Sequence, residues 1–132
     1  MSGTSADGID SALVQLPLRP ALSDVQAARY HHSPFTPEQR RAIFRLFDPA
    51  QAHAERLCQM NFRLGEWFAA AAMAALEAAA LQAAEVDLIG SHGQTVVHCP
   101  PPGPPAGEAG AEGYIPSTLQ LGEPAVIAER TG

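Results

Sequence analysis

Met1-Ser2-Gly3-Thr4-Ser5-Ala6-Asp7-Gly8-Ile9-Asp10 gathers hydroxyls, glycines and carboxylates directly before an apolar run, Ile9 to Leu16. Gly3 and Gly8 permit tight backbone geometry and let main-chain N–H groups approach an anion. Ser2, Thr4 and Ser5 add hydroxyl donors, while Asp7 and Asp10 could orient a metal-bound water or a substrate hydroxyl. Such a turn suits phosphate handling and makes a nucleotide enzyme the first hypothesis. The same residue types also make an ordinary polar N-terminus, and that alternative stays open. A second group is His92, Gln94 and Thr95, flanking Gly93. An imidazole, an amide and a hydroxyl in so short a space form the donor and acceptor array that a sugar needs. Its alternative is a histidine that closes off a strand end. The third group is Gly122-Glu123-Pro124 with Arg130. Glu123 could take a sugar hydroxyl or favour a helix N-terminus. Arg130 could grip a carboxylate or phosphate in a fork, or lie in solvent. His92, His98 and Cys99 match no standard zinc spacing, and Cys58 lies far along the chain.

The elements that must position these groups follow from periodicity and punctuation. Ile9 to Leu16 reads as a strand ended by Pro17 and Pro20, and Ala27 to His32 as a second short strand around Tyr30. His31-His32 reads as a surface pair before the Ser33-Pro34 turn. Thr36-Pro37-Glu38-Gln39 carries a cap, a first-turn proline and a capping-box glutamine. It predicts a helix to about Phe47 with Ile43, Phe44 and Phe47 inward. Asp48-Pro49 repeats the start signal. Leu57, Met60, Leu64, Phe68 and Ala71 then keep spacings of three and four, continued in alanine to about Ala83. A helix that long, about 50 Å at 1.5 Å per residue, predicts a break or bend near Gly65. Asn61 and Glu66 on it read as packing residues first and site residues second. Trp67 and Phe68 read as core. Val86 to Gly90 reads as a strand. Ser91 to Thr95 then lies at its carboxyl end, where open α/β sheets bind ligands. Val96 to His98 extends as strand, residues 99–116 are a proline- and glycine-rich loop, Thr118 to Leu121 is a strand, and Ala125 to Arg130 is a helix entered through Pro124. The order predicts an α/β domain.

Composition narrows the function. The chain of 132 residues is 46% hydrophobic and carries a net charge of −6, one domain's worth of core with no basic cluster for a nucleic acid. Its eight basic residues are all arginine, which excludes a Walker-type lysine and a Schiff-base lysine within these residues. Two cysteines make no disulfide framework. No secretory signal and no membrane span is read, so a soluble cytoplasmic protein without membrane or nucleic-acid partners is expected.

Three blocks together resemble a known family. Met1 to Asp10 is similar to the Met-Ser-Gly-Thr-Ser-x-Asp-Gly-x-Asp opening of the anhydro-N-acetylmuramic acid kinases. Ile89-Gly90-Ser91-His92-Gly93-Gln94-Thr95-Val96 resembles their Gly-Ser-His-Gly-Gln-Thr motif. Thr118-Leu119-Gln120-Leu121-Gly122-Glu123-Pro124-Ala125, with Glu129-Arg130-Thr131-Gly132, resembles the block that follows. The resemblance covers nearly the whole chain and is weakest from Gln15 to Gln59 and from Pro100 to Tyr114.

The resemblance implies the first lobe of an actin-like, ribonuclease H-like sugar-kinase fold, with residues 1–132 a partial N-terminal lobe and the second lobe absent. It makes 1–10 the phosphate-1 turn, 37–83 the helical segment, 90–95 and 118–131 the sugar-cleft motifs, and 99–116 a flexible loop. Gly3, Thr4, Ser5, Ala6, Asp7, Gly8, Ile9 and Asp10 would hold the phosphates of ATP, with Mg²⁺ nearby. His92, Gln94, Thr95, Glu123 and Arg130 would face the sugar, 1,6-anhydro-N-acetylmuramic acid. The implied reaction uses ATP and water to open the anhydro ring and yields N-acetylmuramic acid 6-phosphate in peptidoglycan recycling. A homodimer of the full-length protein is left open. In the family an apolar strand precedes the first block, so the phosphate hairpin is expected to be anchored on one side only, with open sheet edges. The general-base aspartate, the second phosphate motif and the adenosine lobe are expected beyond Gly132, so the 132 residues alone are expected to be inactive. The rivals are a non-catalytic sugar-binding domain, a decayed gene remnant, or another kinase of the same superfamily.

Overall fold

Alternation sets the first element. In β1 (Gly8–Gln15) Ile9 is buried, Ser11 and Leu13 are half-buried, and Asp10, Ala12 and Val14 are exposed, the period-two pattern of a strand with one face covered. The computed structural model describes residues 2–17, 26–101 and 114–132. β1 pairs antiparallel with β2 (Gln26–Pro34), placing Asp10 opposite His32 and Ala12 opposite Tyr30, with an irregularity between Leu13 and Val14. β2 thus runs further at its carboxyl end than its sequence suggests, through Ser33 and Pro34.

The capping box at Thr36 and Gln39 forms in both directions and starts α1 (Pro37–Phe44). α1 ends three residues earlier than expected. Ile43 is buried, but Phe44 is exposed, packing edge-on to Phe47 with ring centres 5.6 Å apart. Asp48-Pro49 starts a turn instead of a helix: the Asp48 carboxylate accepts from the Ala50 N–H and the Gln51 amide. The long helix, α2 (Ala54–Ala78), begins from a His53 cap. It is unbroken at Gly65. The glycine there serves close approach, since a Cβ would lie 2.8 Å from the Glu123 carbonyl oxygen. Met60, Leu64, Phe68, Ala71 and Ala75 form its buried stripe. The helix stops at Ala79, where the Ala80 N–H reaches the Glu77 carbonyl and the Leu81 N–H the Leu76 carbonyl. That is a Schellman ending with alanine at φ 55° in the position glycine usually takes.

Ala83–Glu85 is a short 3-10 turn, and Val86 to Gly90 is not a strand. Its apolar residues have no neighbouring strand to pair with among the described residues: Leu88 is 84% exposed. β3 (Gln94–Cys99) and β4 (Ser117–Leu121) form a second antiparallel pair, and α3 (Pro124–Thr131) follows with Glu123 as its cap. Ser91 to Gln94 therefore leads into a strand instead of leaving one. Twelve apolar side chains from both sheets and all three helices, Ile9, Leu64, Phe68, Val96 and Ile127 among them, form one core. The loop expected over 99–116 falls partly outside the described residues. No helix among those described is long and apolar enough to cross a membrane.

Candidate functional site

The N-terminal run folds into a tight turn. The Ala6 N–H donates to the Gly3 carbonyl at 3.2 Å, and Ala6 adopts φ 46° while fully buried. Gly3, Thr4, Ser5 and Asp7 stay at the surface; Gly8 and Ile9 are buried. A Cβ on Gly8 would lie 2.5 Å from the His32 ring, so the glycine is required by strand packing. The Ser5 hydroxyl donates to the Asp7 carboxylate at 2.9 Å. That bond, with backbone N–H groups of Asp7 and Gly8, holds the Asp7 carboxyl below the usual carboxylate range. The turn therefore already stabilises a negative charge on its N–H side.

Gln94 ties the second block to this turn. Ser2 and Gln94 form an isolated parallel bridge. The Gln94 amide nitrogen donates to the Gly3 carbonyl at 2.8 Å and to the Thr95 carbonyl at 2.9 Å. The Ser2 hydroxyl lies 2.9 Å from the Gly8 carbonyl and 2.6 Å from the Gln94 amide oxygen. A hydroxyl has one hydrogen, so these two acceptors share it. Gln94 is wholly buried, and its amide is spent on the turn. His92 is exposed, with its Nδ1–H directed at the Gly93 carbonyl at 3.3 Å. Thr95 is half-buried, and its N–H faces the Ser2 carbonyl at 3.5 Å.

The third block is fastened from α2. Gly93 and Gly122 both take positive φ, 75° and 138°, where their chains pass closely. A Cβ on Gly93 would lie 2.7 Å from the Leu121 carbonyl oxygen, and one on Gly122 would lie 3.1 Å from the Phe68 ring. Asn61 bonds three times: its side-chain oxygen accepts from the Gly122 N–H, its side-chain nitrogen donates to Glu123, and its backbone carbonyl accepts from the Glu123 N–H. The other Glu123 oxygen caps α3 through the Ala125 N–H. Arg130 forms a two-pronged pair with Glu66, at 2.7 and 2.8 Å. The Arg130 guanidinium in turn holds the Glu66 carboxyl below its usual range.

Asp10 lies on the outer face of the first hairpin. Its Oδ1 accepts from the Tyr30 hydroxyl and from His32 Nδ1 at 2.8 Å. These bonds, Tyr30 first, lower the Asp10 carboxyl. Sequence reasoning took Tyr30 as a strand anchor and His32 as one of a surface pair, and did not single out Arg40; their pairing with Asp10 and with the turn lies in strand register and helix docking, which no single stretch carries. Asn61 and Glu66, ranked as packing residues first, prove to be the partners of Glu123 and Arg130. Among the described residues no three histidine, cysteine or carboxylate side chains converge as a metal site. A pocket of about 370 Å³ separates β1 from residues 86–91, with Phe68, Leu76 and Ile127 along its apolar wall.

The geometry thus links three sequence blocks: the turn to Gln94, Gly93 to Gly122, and Glu123 to the long helix. The family model for anhydro-N-acetylmuramic acid kinase matches these blocks and everything between them, residues 1–132. The chain belongs to the anhydro-N-acetylmuramic acid kinase family. It is 48% identical, over 133 residues, to a protein named anhydro-N-acetylmuramic acid kinase from Caldanaerobacter subterraneus subsp. tengcongensis, a match covering 100% of this chain and 32% of that protein. A Bacillus cereus protein of the same name is 40% identical over 132 residues, covering 99% of this chain and 32% of its own length. The chain spans about a third of the length of the curated relatives it matches. Membership in the kinase family implies an actin-like fold. The mixed α/β arrangement with two small antiparallel sheets is consistent with the first lobe of one.

Proposed function

We propose that this chain forms part of the first lobe of a cytoplasmic kinase that uses ATP and water to convert 1,6-anhydro-N-acetylmuramic acid to N-acetylmuramic acid 6-phosphate in peptidoglycan recycling. The observation that carries the reading is the family match over residues 1–132, whose first block is a tight turn with Gly3, Thr4 and Ser5 exposed. A nucleotide phosphate would meet the exposed Thr4 hydroxyl and the backbone of that turn, with the Asp7 carboxylate available to a phosphate-bound cation. In-line phosphoryl transfer draws most of its acceleration from positioning and charge neutralisation, which such a turn supplies.

In this reading Gly3 to Asp10 form the phosphate side, and Gln94 positions the turn from beneath, since its amide has no remaining donor. His92, Thr95, Glu123 and Arg130 make the sugar side. Glu123 is presented by Asn61, and Arg130 is shared with Glu66. No three histidine, cysteine or carboxylate side chains gather among the described residues, so Mg²⁺ would be held largely by the nucleotide phosphates and water. The reading expects ATP to perturb the amides of residues 3–8 in a ¹H–¹⁵N spectrum of the chain, with no ADP release when the anhydro sugar is added. Unperturbed amides at millimolar ATP would remove the phosphate assignment, and turnover above a buffer blank would remove the expectation of an inactive part-lobe.

A further inference from the structure

We infer that Arg40 is the positioning residue of the phosphate turn: its guanidinium fork pins two successive carbonyls and so fixes the two peptide planes that close the turn and set the Asp7 N–H. The inference rests on the phosphate reading above and adds the residue that shapes the site. The Arg40 Nε–H donates to the Ala6 carbonyl at 2.9 Å, and an Nη2–H donates to the Ser5 carbonyl at 3.3 Å. A trans peptide places its C=O and N–H on opposite sides of one plane. Drawing the Ser5 and Ala6 carbonyls toward α1 therefore turns the Ala6 and Asp7 N–H groups the other way. There the first closes the turn on Gly3 and the second helps hold the Asp7 carboxylate.

The turn needs such a hold. Alanine at positive φ costs about 1–2 kcal/mol, and Ala6 is such a residue. Arg40 is in turn held on its own element: its N–H bonds to the Thr36 carbonyl in the first turn of α1, and its guanidinium stands 5.2 Å from the Phe44 ring centre. The Phe35 N–H bonds the Asp7 carbonyl at 3.0 Å, so α1 is registered to the turn before the arginine reaches it. The chain has no lysine. A compact ammonium could not span both carbonyls with the same planar fork.

The test uses the 132-residue chain with inorganic tripolyphosphate as probe, comparing wild type with Arg40→Lys and Arg40→Gln. Two readouts are taken: affinity, and hydrogen exchange of the Ala6 and Asp7 amides without ligand. If the fork does the positioning, both variants lose about tenfold or more in affinity. Both also speed exchange at Ala6 and Asp7, while amides of β3 and β4 keep their shifts. Lysine rescuing the affinity would overturn the inference, because charge alone would then suffice. Unchanged exchange and affinity in both variants would overturn it too. If wild type fails to bind tripolyphosphate, the phosphate reading falls separately, and the exchange data still decide whether Arg40 fixes the two peptide planes.

Discussion

The turn at residues 2–8 and the segment at 86–90 make an instructive pair. The turn is short and polar and contains a strained alanine, yet it is fully built. Val86 to Gly90 has the apolar residues of a strand, yet forms none. The difference lies in what reaches each from elsewhere in the chain. The turn is gripped by Gln94 from below and Arg40 from the side. The segment faces a pocket, with β1 on the far side and no strand between them among the described residues. Propensity nominates a strand; ladder partners make one.

The sharpest way to break this contrast is Phe68→Ala, since Phe68 lies beneath the pocket and against Gly122. Losing a buried aromatic costs about 3–5 kcal/mol, so the variant should unfold at a much lower urea midpoint and erase both regions together. Gln94→Leu comes next. It removes both donations from the amide nitrogen and strands the Gly3 carbonyl, a cost of about 1–3 kcal/mol. Its spectrum should change at residues 2–8 and stay the same at 86–90; matched changes at both would remove the contrast.

Acid titration gives a third view. The Asp10 carboxyl is held below its ordinary value of 3.8 in the folded chain, so its bonds to Tyr30 and His32 contribute fully above that value. The contribution fades as pH falls through the lower folded value. The stability difference between wild type and Asp10→Asn should therefore be largest near neutrality and close up in acid, by urea midpoints across pH. A difference that widens in acid would reverse the sign. Ala80→Gly relieves the left-handed alanine at the end of α2 and should stabilise by about 0.5–1 kcal/mol, seen as a higher thermal midpoint. Leu88→Ser is the mildest and most telling of the set. At 84% exposure it should stay within about 0.5 kcal/mol of wild type, and a loss several times larger would mean that the segment has a partner after all.

The same contrast explains what could be read from sequence. The strands around Ile9, Tyr30, Val97 and Leu119 and the cap at Thr36 were legible because alternation and capping are local. The stripe from Met60 to Ala75 was legible because α2 buries one face along its length. Phe44 and Asp48 were misread because both signals continue past the point where α1 stops. The break expected at Gly65 failed because the need for a glycine comes from Glu123, far along the chain. In the candidate site the three motif blocks were visible as residue types. The pairings Gln94–Ser2, Asn61–Glu123, Glu66–Arg130 and Arg40–Ala6 were not, because each joins elements whose docking no window of sequence records.

Asn61 also makes the α2–α3 junction directional. Its amide is used asymmetrically, oxygen toward the Gly122 N–H and nitrogen toward the Glu123 carboxylate. An aspartate there would replace that donor with a negative oxygen facing the Glu123 carboxylate, turning a latch into a repulsion at neutral pH. One atom's change from nitrogen to oxygen should loosen the α2–α3 junction while leaving the β1–β2 hairpin intact.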